Sequence, residues 1–198
     1  MRKLAVFNQI TLDGYFTGPN GDLSWAKADS DDPEFQEFVQ GNAQGAGTLV
    51  FGRVTYEMMA SYWPSPMALT QDPVVAEGMN RAPKIVFSRR LTKASWSNTT
   101  LVKGDLVAEV KKLKAASGED MAILGSGSII AQLAPHGLID EYQILVSPIV
   151  LGGGRTMFEG VGAQHGGVGA QHAAPLHFTL TNSRAFKNGK VLLHYRPR

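Results

Sequence analysis

An α/β domain with a mainly parallel sheet and an antiparallel edge is the fold class this sequence predicts. Short apolar runs alternate with stretches of helical period through most of the chain, the pattern of βαβ units. The last two apolar runs flank Lys187-Asn188-Gly189-Lys190, an Asn-Gly turn that closes a hairpin and puts antiparallel strands at one edge.

Leu4 to Ile10 is rich in β-formers and reads as the first strand. Thr11-Leu12-Asp13-Gly14 ends it, and Gly18-Pro19-Asn20-Gly21-Asp22 is a turn-forming loop. Asp31-Asp32-Pro33-Glu34 has the acids and early proline of a helix start. Phe35, Phe38 and Val39 then share one face, and Gly45 and Gly47 stop the helix. Thr48 to Gly52 reads as a buried strand and Arg53 to Tyr62 as the helix after it, broken by Pro64 and Pro66. Val74 to Arg81 reads as a short helix, Lys84 to Ser88 as a strand and Thr99 to Val102 as a short one. Asp105 caps a helix through Ala116 on which Leu106, Val110 and Leu113 keep the period, with Gly118 as terminator. Met121 to Gly125 is a core strand, and Ser126-Gly127-Ser128 opens a helix through Leu133. Tyr142 to Val150 is a strand ended by Gly152-Gly153-Gly154, and Leu176–Leu180 and Lys190–Tyr195 close the chain.

The 198 residues suit a single domain over 1–198. With no cysteine, disulfides, thiolate metal sites and a cysteine nucleophile are excluded. The formal charge of +2 gives no support to a nucleic-acid partner. No apolar run approaches the ~20 residues of a membrane helix, and the start is too soon interrupted by Asn8 and Gln9 for a signal peptide. The expectation is a cytoplasmic protein with no membrane partner. The unit Gly-Val-Gly-Ala-Gln-His occurs twice, from Gly160 and from Gly167. Residues 160–174 are expected to form a flexible loop within the domain, and His165 and His172 lack the carboxylate or thiolate company of a metal site.

Three strand ends carry the residues that bear on function: Gly52-Arg53-Val54-Thr55, Ser88-Arg89-Arg90 and Gly125-Ser126-Gly127-Ser128-Ile129. A helix start offers unpaired N–H groups and partial positive charge to a phosphate, and glycine lets the anion approach the backbone. The carboxyl ends of strands line the ligand crevice of an open α/β sheet. The guanidinium forks of Arg89 and Arg90 suit a phosphate monoester. Gly125-x-Gly127 is not a full dinucleotide fingerprint, because Ile130 stands where its third small residue would be.

Gly52-Arg53-Val54-Thr55-Tyr56-Glu57 resembles the G-R/K-x-T-W/Y-E signature of dihydrofolate reductases. Ile85-Val86-Phe87-Ser88-Arg89 is similar to their cofactor turn, and Ile123 to Ile129 to their Gly-Gly turn. Thr11-Leu12-Asp13-Gly14-Tyr15-Phe16 and Pro148 to Gly154 resemble instead the reductase domain of the riboflavin-biosynthesis deaminase-reductases. The chain thus resembles stand-alone members of that combined superfamily across residues 2 to 197. The resemblance implies a three-layer α/β/α fold, an NADPH cofactor, a homodimer and hydride transfer to a small heterocyclic (pterin- or pyrimidinone-like) or carbonyl substrate. It places Gly52, Arg53, Val54 and Thr55 at the pyrophosphate and adenosine side, and Ser88, Arg89 and Arg90 at the 2′-phosphate. Gly125, Ser126, Gly127, Ser128 and Ile129 would lie under the pyrophosphate and nicotinamide. Asp13 and Asp22 are the candidate catalytic acids, and Trp25, Tyr56 and Trp63 could stack on a flat ring. The cysteine-free chain lacks the zinc deaminase signature to which that reductase is usually fused. A non-catalytic nucleotide- or flavin-binding protein with the same fold is the alternative.

Overall fold

Side-chain alternation along Leu4–Thr11 puts Leu4, Val6 and Asn8 on a buried face and leaves Ala5, Phe7 and Gln9 half-buried on the other. This strand, β1, lies inside an eight-stranded sheet. The computed structural model describes residues 1–26, 32–161 and 175–198. After β1 come β2 (Tyr15–Thr17), α1 (Pro33–Gln44), β3 (Thr48–Gly52), α2 (Arg53–Tyr62), α3 (Pro66–Gln71) and α4 (Pro73–Arg81). They are followed by β4 (Lys84–Phe87), β5 (Thr99–Val102), α5 (Leu106–Ala115), β6 (Met121–Leu124) and α6 (Gly127–Leu133). The last elements are β7 (Glu141–Ser147), β8 (Arg155–Thr156), β9 (Phe178–Ala185) and β10 (Val191–Pro197).

The sheet order is β5-β4-β3-β6-β1-β7-β10-β9. Every pairing from β5 to β7 is parallel, and β10 and β9 are antiparallel additions. Helices cover both faces. Leu4, Val6 and Ile123 pack with Val110 of α5 and Ile130 and Leu133 of α6. On the other face Leu49 and Phe51 pack with Tyr56 of α2 and Met79 of α4, and Phe35 of α1 meets Leu145 and Phe186. Asp32 caps α1 by accepting from the Glu34 and Phe35 amides, and its other oxygen accepts from Asn188 N at 3.1 Å, which ties the hairpin turn to the helix.

Three elements differ from the sequence reading. Pro66 does not only break a helix. It occupies the first turn of α3, where its missing N–H costs nothing, with Ser65 as cap. The strand read as Tyr142–Val150 stops at Ser147, before Pro148. β9 runs on to Ala185, far beyond Leu180, because β10 supplies its hydrogen-bond partners. An edge strand open to water on both faces carries no apolar alternation to read. Residues 162–174, with His165, His172 and most of the repeat, lie outside the described residues, as does Asp31 of the predicted helix start. Among the described residues no helix is long and apolar enough to cross a membrane, and no His/Asp/Glu group is placed to hold a metal.

Candidate functional site

Because β4, β3 and β6 are neighbours and parallel, their carboxyl ends leave the sheet side by side. All twelve residues that the sequence assigned to the three tips line one cleft of about 2530 Å³: Gly52 to Thr55, Ser88 to Arg90 and Gly125 to Ile129. The β3 and β6 tips are stitched together. Ser126 Oγ accepts from the Gly52 amide at 3.0 Å and donates to Leu124 O at 3.0 Å, while the Ser126 amide donates to Thr55 Oγ1 at 3.1 Å. Asn8 Nδ2 donates to Gly125 O at 3.2 Å and adds β1 to the seam. Ser126 holds φ +52°, a left-handed conformation unusual outside glycine, and these bonds keep it there. A Cβ on Gly125 (φ +59°) would come within 3.0 Å of Thr55 Cγ2, and one on Gly127 within 3.1 Å of Phe16 Cζ. The missing side chains therefore let the tip pack closely.

The arginines divide into two kinds. Arg53 Nη1 donates to Glu57 Oε2 at 2.6 Å, one helical turn on. Its charge already has a local partner. Arg89 and Arg90 are exposed, and neither side chain has a hydrogen bond or ion pair among the described residues. Ser88 organises their turn, its Oγ accepting from the amides of Arg90 (3.1 Å) and Leu91 (3.0 Å). The result is a strand end presenting two unengaged guanidinium forks to the cleft rim.

Neither candidate acid lines the cleft. Asp13 accepts from the Thr11 hydroxyl at 2.6 Å, from Gly152 N at 2.8 Å and from Leu151 N at 3.2 Å. The Thr11 hydroxyl first, then the two amides, hold its carboxyl below the usual carboxylate value. Asp22 accepts from the amide and hydroxyl of Ser24, both at 2.9 Å, and the Ser24 amide lowers its pKa likewise. Of the three aromatic candidates only Trp63 lines the cleft. Tyr56 is buried, with its hydroxyl accepting from Trp96 N.

Asp13 is instead part of a strap that was not legible in the sequence. It ties the turn after β1 to the turn after β7, and β2 and β8 then pair as a two-stranded ladder, Tyr15 with Thr156 and Thr17 with Arg155. Phe16, Thr17 and Arg155 from this strap line the cleft. So do Gln9 and Gln143, two polar residues on the half-buried sheet face.

The family model described as the RibD C-terminal domain matches residues 2–192. A protein from Shewanella sp. PV-4, connected by name to riboflavin biosynthesis, is 25% identical and superposes over 99% of both chains with a TM-score of 0.70. The Thermotoga maritima diaminohydroxyphosphoribosylaminopyrimidine deaminase/5-amino-6-(5-phosphoribosylamino)uracil reductase is 16% identical, with 100% of this chain matched to 57% of that one and a TM-score of 0.65. Dihydrofolate reductase from Enterococcus faecalis, complexed with NADP(H), is 17% identical over 99% of this chain and 96% of its own, with a TM-score of 0.60. At those identities the last two share the fold.

Proposed function

This chain belongs to the RibD C-terminal domain family, and we propose that it is an NADPH-dependent reductase that delivers a hydride to a small heterocyclic or carbonyl substrate. One observation carries the reading: three phosphate-suited strand ends open into a single cleft. The residues fit the coenzyme. The starts of α2 and α6 offer backbone N–H groups to a pyrophosphate, and the glycines of the β6 tip let that tip pack against Thr55 and Phe16. The unengaged forks of Arg89 and Arg90 suit the 2′-phosphate that distinguishes NADPH from NADH. NADPH supplies the hydride when bound. This chain's residues bind and orient, with the Ser126–Gly52 and Ser126–Thr55 bonds holding the two tips at a fixed separation. The E. faecalis reductase, of the same fold, holds NADP(H). A cytoplasmic homodimer belongs to the same reading, and light scattering on the eluting protein tests the dimer.

The deciding experiment is a titration followed by nicotinamide fluorescence. NADPH is expected to bind about 10- to 100-fold tighter than NADH, the worth of one or two charge-assisted phosphate contacts. Arg89→Ala is expected to remove about tenfold of that preference while leaving NADH unchanged. No NADPH binding at millimolar concentration overturns the proposal.

The absence of Asp13 and Asp22 from the cleft lining favours a second reading, a nucleotide- or flavin-binding protein without turnover. Steady NADPH oxidation on any of a panel of pterins, pyrimidinones and quinones excludes it, and a yellow purified protein supports its flavin form. Asp13→Asn keeps an oxygen for the Gly152 amide, so it tests the carboxyl charge. Lost turnover with NADPH binding intact gives Asp13 a proton-handling role, and retained turnover leaves it the turn alone.

A further inference from the structure

Helix α2 turns two rows of side chains toward the cleft. Val54, Met58 and Tyr62 recur every four residues along one row, and Thr55, Met59 and Trp63 along the next. All six line the cleft. The first rung stands at the β3 tip, where Thr55 Oγ1 accepts from the Ser126 amide. The methionine rung lies one helical turn further on, about 6 Å along the axis. Met67, near the start of α3, lines the same cleft.

The sulfurs are not equivalent. Met58 is 38% exposed and Met67 57%, so solvent reaches both. Met59 is half-buried, and its Sδ accepts from Trp63 Nε1 at 3.0 Å. That bond occupies lone-pair density that an electrophile would need. Met79, Met121 and Met157 are buried at 5% exposure or less. The chain has no cysteine, so no thiolate is present to react with an oxidant first. Of the methionines on the cleft, Met58 and Met67 are the two that a dissolved oxidant meets.

A thioether packs against a flat or apolar ligand as a soft, flexible hydrophobe. Its sulfoxide is polar and accepts hydrogen bonds, and it is penalised wherever a ligand covers it without supplying a donor. On this wall the Trp63 N–H is already committed to Met59.

We propose that Met58 and Met67 form a modification site for hydroperoxides on the cleft wall, and that their conversion to sulfoxides weakens nucleotide binding. The thioether lone pair attacks one peroxide oxygen. An S–O bond forms as the O–O bond breaks, and sulfur is oxidised by two electrons. The proton of the attacked oxygen passes to the departing one, which leaves as water or an alcohol. Methionine sulfoxide reductases reverse the change, two thiols giving up two electrons as a disulfide and the sulfoxide oxygen leaving as water. The site stands on exposure and position alone, and its effect rests on the coenzyme reading.

The test treats the full chain with hydrogen peroxide for increasing times and maps it after trypsin. One peptide, from Val54 to Arg81, carries Met58, Met59, Met67 and the buried Met79, because no Lys or Arg lies between. Fragment masses then place each added oxygen. Met58 and Met67 are expected to gain oxygen about tenfold faster than Met79, with Met59 behind them. NADPH affinity, read by nicotinamide fluorescence, is expected to fall about tenfold as they do. It is expected to return after treatment with the reductases for the two sulfoxide epimers. A Met58→Leu/Met67→Leu variant still oxidises at Met1, which is 99% exposed, and is expected to show no oxidant effect on its own affinity. The wild-type time course and its reversal carry the test if that variant fails to fold. Oxidation of Met59 or Met79 ahead of Met58 and Met67 overturns the site. Unchanged NADPH affinity once both are oxidised, or an equal loss in the leucine variant, overturns the effect. Untreated protein that binds no NADPH removes the coenzyme reading and the effect with it, while the peptide map still decides the site.

Discussion

Gly154→Ala is expected to lower the melting temperature by about 10 °C. Gly154 has φ +135°, and a Cβ there would stand 2.0 Å from Thr17 O and 3.0 Å from Gly18 Cα. Both are backbone atoms, so no side-chain rotation relieves the clash. Backbone strain of ~1–3 kcal/mol and overpacking of a similar size add to about 4 kcal/mol, and a chain of this length loses ~2–4 °C per kcal/mol. The other two glycines of the run are built-in controls. Gly152 has φ +70° with nothing within 4 Å of a Cβ, so Gly152→Ala is expected to cost about 1 kcal/mol. Gly153 has an ordinary φ and open space, and Gly153→Ala is expected to be neutral. Calorimetry on the three variants checks the order. Equal losses at all three positions, or no loss at Gly154, would contradict this account of the strap. Relief by opening the β2–β8 ladder would free Phe16 from Gly127 at the start of α6, so weaker nucleotide binding is expected to accompany the lower melting temperature.

The strap also shows where sequence reasoning stopped. Thr11 to Phe16 and Pro148 to Gly154 were both legible as motifs, and both belong to the reductase-domain resemblance. Nothing in a linear string says that Asp13 accepts from the Gly152 amide, because the contact spans 139 residues. Read locally, an aspartate at a strand end near the crevice is a candidate acid. Read in three dimensions, its oxygens are committed to the turn. The Arg53–Glu57 pair, by contrast, is local: four residues apart on α2, the two side chains meet one turn on, a spacing visible in the sequence. The tips themselves were legible because glycine, strand end and helix start are local properties, and parallel alternation makes their convergence a consequence of topology. Gln9 and Gln143 were not, because their common floor depends on the register of β1 against β7, which no periodicity specifies.

Lys84→Met is expected to cost about 2 kcal/mol, for a reason distinct from the cleft. Lys84 opens β4, the strand that leads into Ser88 and Arg89, and is only 1% exposed. Its Nζ donates to the carbonyls of Asn80 (3.0 Å), Ala82 (2.7 Å) and Ser97 (3.2 Å) and lies 4.4 Å from the Trp96 ring centroid. Methionine fills the volume, but Ala82 O loses its donor at ~1–3 kcal/mol, while Asn80 O keeps Asn98 Nδ2 (3.2 Å) and Ser97 O keeps Thr99 Oγ1 (3.3 Å). Burial pushes the Lys84 ammonium down from 10.5 to about 8. A lowered pKa on a base means that the folded chain surrenders the proton first. Between about pH 8 and 10.5 the unfolded chain holds more protons, so wild-type stability rises with pH, by at most ~1.4 kcal/mol per unit. Below pH 8 both states keep the proton and the slope vanishes. Urea denaturation of wild type and Lys84→Met from pH 7 to 10 reads this directly: the gap between them is expected to be flat to about pH 8 and to widen above it. A gap that stays constant to pH 10 would mean that the three carbonyls and the indole face hold the proton against the cost of burial, and Lys84 would then be a permanently charged pin between α4 and the strand that carries the arginines.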